Sequence, residues 1–204
     1  ISADGCVGDP QPITITVEAS PAPNVILGPN PVCKQQTGVV YQTASLNPLS
    51  TYSWSVIAGD AAIVGAASGV GLNQVIVDFG TANSSTIRVQ EVSPTGCSGA
   101  AATLVINAND RPVMTSLPAV SLCGGTAVQD ALTLTASIPA STFNWIVTSV
   151  TGLVSGSAVG NNGVGQINQT LTNFSGAVGS VTYRVVPTSP DGCAGPSQDV
   201  VVTV

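Results

Sequence analysis

The sequence predicts an all-β fold made of β-sandwich modules in tandem. Three observations support this prediction: a composition typical of strands, short runs of alternating hydrophobicity, and an internal repeat. Thr, Val, Ile, Ser and Gly are abundant, whereas Glu, Lys and Leu, which favour helices, are scarce. The apolar residues lie in short alternating runs, and none of these runs approaches the roughly 20 residues that a membrane-spanning helix needs.

A Gly-Cys-x-Gly turn recurs along the chain and defines the repeat. It lies in residues 4–8 (DGCVG), 95–99 (TGCSG) and 191–195 (DGCAG), and an alternating, strand-like run follows each turn. The interval of about 90 to 100 residues corresponds to one β-sandwich module. Strand-like segments also precede the second and third turns, so each turn is predicted to close a hairpin in which Gly supplies positive φ angles.

Pro- and Asn-marked stretches divide the chain into three parts. They lie at residues 19–23 (ASPAP) and 107–112 (NANDRP), and their prolines make them stiff. We expect residues 1–22 to be C-terminal strands of a preceding, truncated module. Residues 23–109 and 110–204 are then expected to form two complete sandwich modules.

An aromatic strand follows the first cysteine of each complete module. It is residues 52–56 (YSWSV) in one module and residues 143–147 (FNWIV) in the other. In both strands the aromatic residues alternate, so they point to one face. We predict that Trp54 and Trp145 are core residues; a platform for a ligand is the other interpretation.

The repeat also accounts for the odd number of cysteines. Each complete module has an early Cys and a late Cys in its Gly-rich turn, so we predict the disulfides Cys33–Cys97 and Cys123–Cys193. Cys6 lies at the late position of the preceding module, and we expect it to lack its partner through truncation rather than to be a dimerising thiol. Disulfides at this density indicate a location outside the cytoplasm. A zinc site is not expected, since the chain has neither a Cys-x-x-Cys pair nor a His.

The order Cys…Trp…Cys is similar to that of immunoglobulin domains, with one departure. The second Cys of those domains lies within a core strand, whereas Cys97 and Cys193 lie in Gly-rich turns. We therefore predict modules that are Ig-like in architecture, each with one disulfide at one end of the sandwich.

The first complete module resembles a known kind of domain. Residues 28–33 (GPNPVC), 37–41 (TGVVY) and 77–80 (VDFG), together with Trp54, are similar to the PKD-like modules of Bacteroidota surface proteins. This set of residues is found in many secreted proteins. The resemblance implies a PKD-like β-sandwich.

The second module carries a more specific resemblance. Residues 166–173 (QINQTLTN), 181–189 (VTYRVVPTS) and 191–195 (DGCAG) resemble the tandem repeats of giant gliding-motility adhesins of the SprB type. This resemblance implies export by a type IX secretion system and display at the outer membrane as a long filament. It implies neighbouring modules, other filaments or surface polysaccharide as partners, and it carries no catalytic residues.

Composition argues against several other functions. Charged residues make up 7% of the chain, and 4 Lys and Arg stand against 10 Asp and Glu, so the basic patch that binds nucleic acid or an anionic membrane is missing. The absence of His excludes Ser-His-Asp and Cys-His catalysis. Paired carboxylates would remain, but Asp60, Asp78, Asp130 and Asp199 have no local spacing that brings two together. We expect neither an enzyme nor a cofactor.

The function predicted from these features is that of a structural repeat segment. It would belong to a long extracellular surface adhesin or filament, for gliding motility or surface attachment. A carbohydrate-binding module of a secreted protein is the alternative, since aromatic rings can stack on sugars. The candidate rings are Trp54, Trp145, Tyr41, Tyr52, Tyr183, Phe79, Phe143 and Phe174. Calcium at the linkers, held by Glu18, Asn109 and Asp110, would need a run of alternating Asp that no loop has.

Overall fold

Two β-sandwich domains follow one another along the chain. The computed structural model describes residues 4, 9, 11–22, 24–44, 47–162 and 165–204, without the side chains of Asn161 and Asn162. The strands between residues 26 and 109 form the first domain, and those between residues 119 and 203 form the second. Within the described part of the chain, no helix has the length and apolarity needed to cross a bilayer.

The first domain consists of two sheets. Its strands are β1 (Ile26–Leu27), β2 (Val32–Cys33), β3 (Val39–Thr43), β4 (Thr51–Ala58), β5 (Ala62–Val64), β6 (Ser68–Val70), β7 (Gln74–Asp78), β8 (Ser84–Val92) and β9 (Ala102–Asn109). One sheet has the order β1-β3-β7-β5 and the other β2-β9-β8-β4-β6. Strand β2 runs parallel to β9, with Cys33 opposite Asn109. Cys33 therefore lies at the end of the domain from which the chain leaves.

Alternating side chains of the two sheets form the first core. Strand β8 buries every second residue, among them Ile87 and Val89. Trp54 packs in this core at 4% exposure, and its indole Nε1 donates a hydrogen bond to the Leu72 carbonyl at 2.9 Å. The hydroxyl of Tyr41, which is also buried, donates to the Pro29 carbonyl at 2.7 Å. Burial of these polar groups is thus compensated by hydrogen bonds.

The second domain keeps the larger sheet and reduces the smaller one. Its elements are β10 (Ala119–Ser121), α1 (Val128–Ala131), β11 (Thr142–Thr151), β12 (Val154–Ser155), β13 (Gly160–Asn162), β14 (Thr172–Asn173), β15 (Ser180–Thr188) and β16 (Gln198–Thr203). The order β10-β16-β15-β11-β13 repeats the arrangement of β2-β9-β8-β4-β6, including a parallel first pair. The pair β12-β14, together with isolated bridges such as Met114 to Ala136, covers the other face of the core.

The second core is separate from the first. Trp145 lies in it at 6% exposure, and its Nε1 donates to the Ala158 carbonyl at 3.2 Å. The Tyr183 hydroxyl donates to Oε1 of Gln169 at 2.8 Å. The two clusters of buried apolar residues share no member. Each domain therefore has the core that it needs to fold as a unit.

The buried tyrosines lead to a prediction for alkaline pH. Burial raises the pKa of Tyr41 and of Tyr183 from 10.0 to about 12. A pKa that is raised in the folded state gives stability that is complete below pH 10.0 and is lost as the pH rises towards about 12. We expect denaturant titrations to show this loss, and Tyr41→Phe to reduce it in the first domain only. Phenolate absorbance of the folded protein that titrates entirely near the ordinary pKa would contradict the prediction.

Candidate functional site

The junction between the two domains is the part of the molecule with the most specific chemistry. Cys33, at the end of β2, is bonded to Cys193, in the turn between β15 and β16, with their Cα atoms 5.6 Å apart. Cys193 is 1% exposed. The disulfide joins the first domain to the second and closes a sequence separation of 160 residues.

The predicted disulfides within each module, Cys33–Cys97 and Cys123–Cys193, do not form. The reason is the direction of β9. Cys33 lies opposite Asn109 at one end of this strand, whereas Cys97 lies in the turn before its other end. A strand of 8 residues with a rise of about 3.3 Å per residue separates its ends by about 23 Å. The Cα atoms of a disulfide lie within about 7 Å of each other, so this pair is out of reach.

The remaining cysteines have different surroundings. Cys97 is a half-buried free thiol, and Cys123 is an exposed free thiol. Cys6, which the repeat places at a late position, lies outside the described residues. The sequence therefore identified the two cysteines of the disulfide but assigned each of them the wrong partner.

Charged side chains reinforce the junction around the disulfide. Lys34, next to Cys33, places Nζ 2.6 Å from Oδ1 of Asp110. Arg111 Nε donates to the carbonyl of Ala194, next to Cys193, at 2.6 Å. Both contacts reach solvent, so they contribute little free energy and mainly fix orientation. In the described residues, His, Cys, Asp and Glu form no group of three or more that could hold a metal ion.

The ion pair and the arginine contact were not predicted from the sequence, although a signal was present. The chain has 4 basic residues in all. Lys34 and Arg111 are two of them, and they adjoin the first half of the disulfide and the linker. Arg111 lies in the predicted boundary stretch of residues 107–112, and a basic residue this rare at a boundary indicates a contact between the two modules.

Gly195 allows the linker to pack directly on the turn that carries Cys193. A Cβ atom at this position would overlap the carbonyl oxygen of Pro112 and lie 3.0 Å from Cγ of Pro187. The N–H of Gly195 also donates to the Pro187 carbonyl at 2.8 Å. A carbonyl of the backbone cannot move aside as a flexible side chain can.

We therefore expect Gly195→Ala to destabilise the second domain by about 1–3 kcal/mol, the usual cost of overpacking. Thermal denaturation of the oxidised protein measures this effect. Gly176→Ala is the matched control, because a Cβ there meets no atom within 4 Å. Equal stability of the two variants would show that the linker does not rest on Gly195.

Three of the four carboxylates considered for catalysis have structural partners instead. Asp60 accepts hydrogen bonds from the backbone N–H groups of Thr81 at 2.6 Å and Ala82 at 2.9 Å. Burial raises the pKa of the Asp60 carboxyl, but these N–H groups outweigh it and hold the pKa below its ordinary value. Oδ1 of Asp78 accepts from the N–H of Gly38 at 2.7 Å. These two side chains close loops of the first domain.

In the second domain the same holds for Asp199. Its carboxylate forms a two-pronged pair with Arg184, at 2.8 Å and 2.9 Å, across β15 and β16. The hydrogen bond from Arg184 is the main reason why the pKa of Asp199 lies below its ordinary value. Asp130 lies in the short helix α1. The structure thus places these carboxylates on separate elements rather than together in one cleft.

The aromatic residues offer little surface for stacking on sugars. All eight lie in the described part of the chain, and seven of them are buried. The buried ones are Trp54, Trp145, Tyr41, Tyr52, Tyr183, Phe79 and Phe143. Phe174 is the remaining ring, at 71% exposure. A platform of several neighbouring rings is therefore not formed.

Family models match both halves of the chain. Residues 19–106 match one model for a PKD-like domain, and residues 120–204 match a second model with the same description. The two matched ranges correspond to the two sandwiches with separate cores. No curated protein sequence matches the chain.

Several solved structures are similar over most of the chain, at low scores. The D00-D0 domain of Intimin has 14% identity, with 87% of this chain and 98% of that chain covered, and a TM-score of 0.33. The Clostridium thermocellum CbhA fibronectin(III)-like modules have 13% identity, coverage of 88% and 94%, and a TM-score of 0.35. The Protocadherin Gamma B2 extracellular cadherin domains 3-6 have 9% identity, coverage of 89% and 48%, and a TM-score of 0.30. These likenesses are too distant to inform function. The family matches and the two sandwiches together show that the chain is built of PKD-like domains in tandem.

Proposed function

We propose that the chain is a structural repeat segment of a long extracellular adhesin or filament, which serves surface attachment or gliding motility. The observation that carries this proposal is the disulfide between Cys33 and Cys193. It holds one domain to the next at their junction, beside the peptide linker. Such a bond is expected where the function depends on how successive domains are connected, rather than on a site inside one of them.

Other features agree with this role. The PKD-like domains have separate cores, so domains can be added to an array without rebuilding their neighbours. Three of the four carboxylates considered for catalysis are engaged in loop closure or in an exposed ion pair. A disulfide persists in an oxidising compartment, which favours a location outside the cytoplasm.

The finer parts of the proposal rest on the sequence resemblance. Residues 166–173 and 191–195 resemble the SprB-type repeats, which favours a gliding-motility adhesin, type IX export and association with the outer membrane. In this arrangement residues 1–22 belong to a preceding module, and residues 23–109 and 110–204 are two complete modules. The partners are neighbouring modules of the same chain, other filaments or surface polysaccharide.

Two experiments test the proposal. Small-angle X-ray scattering of the oxidised chain is expected to give an elongated particle with two resolved domains, and a single compact globule would contradict a repeat segment. Antibodies against the chain are expected to label intact cells that produce it. Labelling that requires permeabilised cells would contradict a surface location.

A glycan array separates this role from carbohydrate binding. We expect no binding by the folded chain, because Phe174 is its one exposed ring among the described aromatics. Specific binding that Phe174→Ala abolishes would instead favour a carbohydrate-binding module. The melting temperature of the variant, unchanged from that of the parent, would show that the loss is not due to unfolding.

A further inference from the structure

We propose that the domain-to-domain disulfide is one member of a series, in which every early Cys bonds to the late Cys of the following module. Cys123 would then bond to the cysteine in the Gly-Cys-x-Gly turn of a following PKD-like module. Cys97 would bond to the early Cys of a preceding PKD-like module. The inference uses the tandem arrangement but not the adhesive role, and it names partners for two cysteines that are free in this structure.

The turns that carry the two late cysteines have the same hydrogen bonds. Ser93 N donates to the Cys97 carbonyl and Ser189 N donates to the Cys193 carbonyl, both at 2.9 Å. In the reverse direction, Cys97 N donates to Oγ of Ser93 at 3.0 Å, and Cys193 N donates to Oγ of Ser189 at 3.1 Å. The turn of the free Cys97 therefore has the same hydrogen bonds as the turn of the disulfide-bonded Cys193.

The two early cysteines correspond just as closely. Cys33 is the last residue of β2, which runs parallel to β9, and Cys123 lies two residues after β10, which runs parallel to β16. The carbonyl of Cys33 accepts from Gln36 N, and the carbonyl of Cys123 accepts from Thr126 N, both at 3.1 Å. The residue two positions after each Cys has a positive φ, 57° and 83° respectively. Cys123 thus lies in a turn equivalent to the one in which Cys33 bonds to the next domain.

At both junctions, a glycine of the late turn packs closely against a proline carbonyl of the preceding linker. Gly195 packs against the carbonyl oxygen of Pro112, and a Cβ at Gly99 would lie 3.0 Å from the carbonyl oxygen of Pro21. The turn of each domain therefore rests on the linker that precedes that domain. At the linker that contains Pro112, this packing accompanies the contact of Cys193 with Cys33. At the linker that contains Pro21, the turn of Cys97 packs in the same way.

The segment before the first domain has the pattern of a sandwich strand that lacks its partners. Ile13, Ile15 and Val17 alternate and are 86%, 81% and 89% exposed. They follow the first Gly-Cys-x-Gly turn at the spacing at which Leu104, Ile106 and Ala108 follow the second. Ile106 is fully buried in its core. The same positions in residues 13–17 fit the last strand of a preceding PKD-like sandwich, beside which that module's early Cys would lie.

Formation of each bond is a balanced two-electron oxidation. Two thiols lose two protons and two electrons, and a disulfide-type oxidant takes them up. In the experiment below this oxidant is glutathione disulfide, which is reduced to two molecules of glutathione. The two sulfur atoms then form one S–S bond between neighbouring modules.

The test extends the chain in register. Residues 1–204 are followed by a second copy of residues 109–204, so that Val204 takes the place of Ala108 before the linker, and Cys6→Ser removes an unrelated thiol. The added copy is joined by ligation as an isotope-labelled segment, so that its peptides differ in mass from those of residues 109–204. After refolding with glutathione disulfide, non-reducing peptide mapping is expected to show Cys33–Cys193 and a new bond from Cys123 to the Cys193 position of the added copy. The variant Cys123→Ser is expected to lose only the new bond.

Two results would overturn the proposal. One is a Cys123 in residues 1–204 that stays a thiol although the added domain is folded, as judged by a third transition in chemical denaturation. The other is a bond between Cys123 and Cys193 of the same module. A second measurement uses the protein from cells that produce it: the Cys123 peptide is expected in disulfide linkage with a Gly-Cys-x-Gly peptide. A free Cys123 there would contradict the series as well.

Discussion

Removal of the Cys33–Cys193 disulfide is expected to destabilise whichever domain unfolds while the other is still folded, by about 4 kcal/mol. With the first domain folded, Asn109 lies opposite Cys33, so the bond closes the unfolded second domain into a loop between residues 109 and 193. With the second domain folded, Arg111 and Cys193 lie together, so the bond closes the unfolded first domain in the same way. The cross-link restricts the unfolded chain in either case, and Cys33→Ser removes this restriction.

Chemical denaturation of the oxidised protein and of Cys33→Ser measures the effect, with one transition for each domain. Cys123→Ser is the matched control, because it replaces a thiol that is exposed and free. A disulfide within one domain would stabilise only that domain. Cys33→Ser should therefore destabilise the domain that unfolds first, whichever domain that is, and an unchanged first transition would contradict the junction described above.

Substitution of a core tryptophan is expected to have a comparable effect on one domain alone. Trp54→Ala leaves a cavity in the first core and should destabilise that domain by about 3–5 kcal/mol. The second domain should keep its stability, because the two cores share no residue. The experiment is done in reducing buffer, so that the disulfide does not couple the two transitions.

The remaining tryptophan makes this measurement direct. The chain has 2 Trp residues, so the fluorescence of Trp54→Ala reports Trp145 in the second domain, while circular dichroism follows both domains together. Trp145→Ala is the reciprocal variant, and Trp54→Phe should recover part of the lost stability. Loss of the Trp145 transition in Trp54→Ala would show that the domains fold as one unit.

Much of the fold follows from the sequence because strands and turns are local features. Alternation in residues 52–56 and 143–147 predicts strands with one buried face, and β4 and β11 contain these residues. The Gly-Cys-x-Gly turns join β8 to β9 and β15 to β16, as the repeat indicates. The reduced sheet of the second domain could not be predicted, since its isolated bridges and the four-residue helix at Val128 depend on contacts between distant segments.

The pairing of the cysteines could not be predicted from the sequence. The repeat makes Cys33 equivalent to Cys123, and Cys97 equivalent to Cys193, but equivalence does not say at which end of the sandwich each of them lies. That information is in the topology, where β2 runs parallel to β9 and the late turn lies at the opposite end. Nothing in the spacing distinguishes a bond within a module from a bond to the next.

The disulfide also changes how the chain carries tension. A pull on the two termini reaches Cys33 from one side and Cys193 from the other, and the covalent route between them is the S–S bond itself. The polypeptide enclosed by the bond, which includes nearly all of both sandwiches, lies off this route. Stretching can therefore detach β1, β2 and β16, which lie between the disulfide and the termini. The residues between Cys33 and Cys193 cannot be extended while the S–S bond holds, whatever the strength of either core.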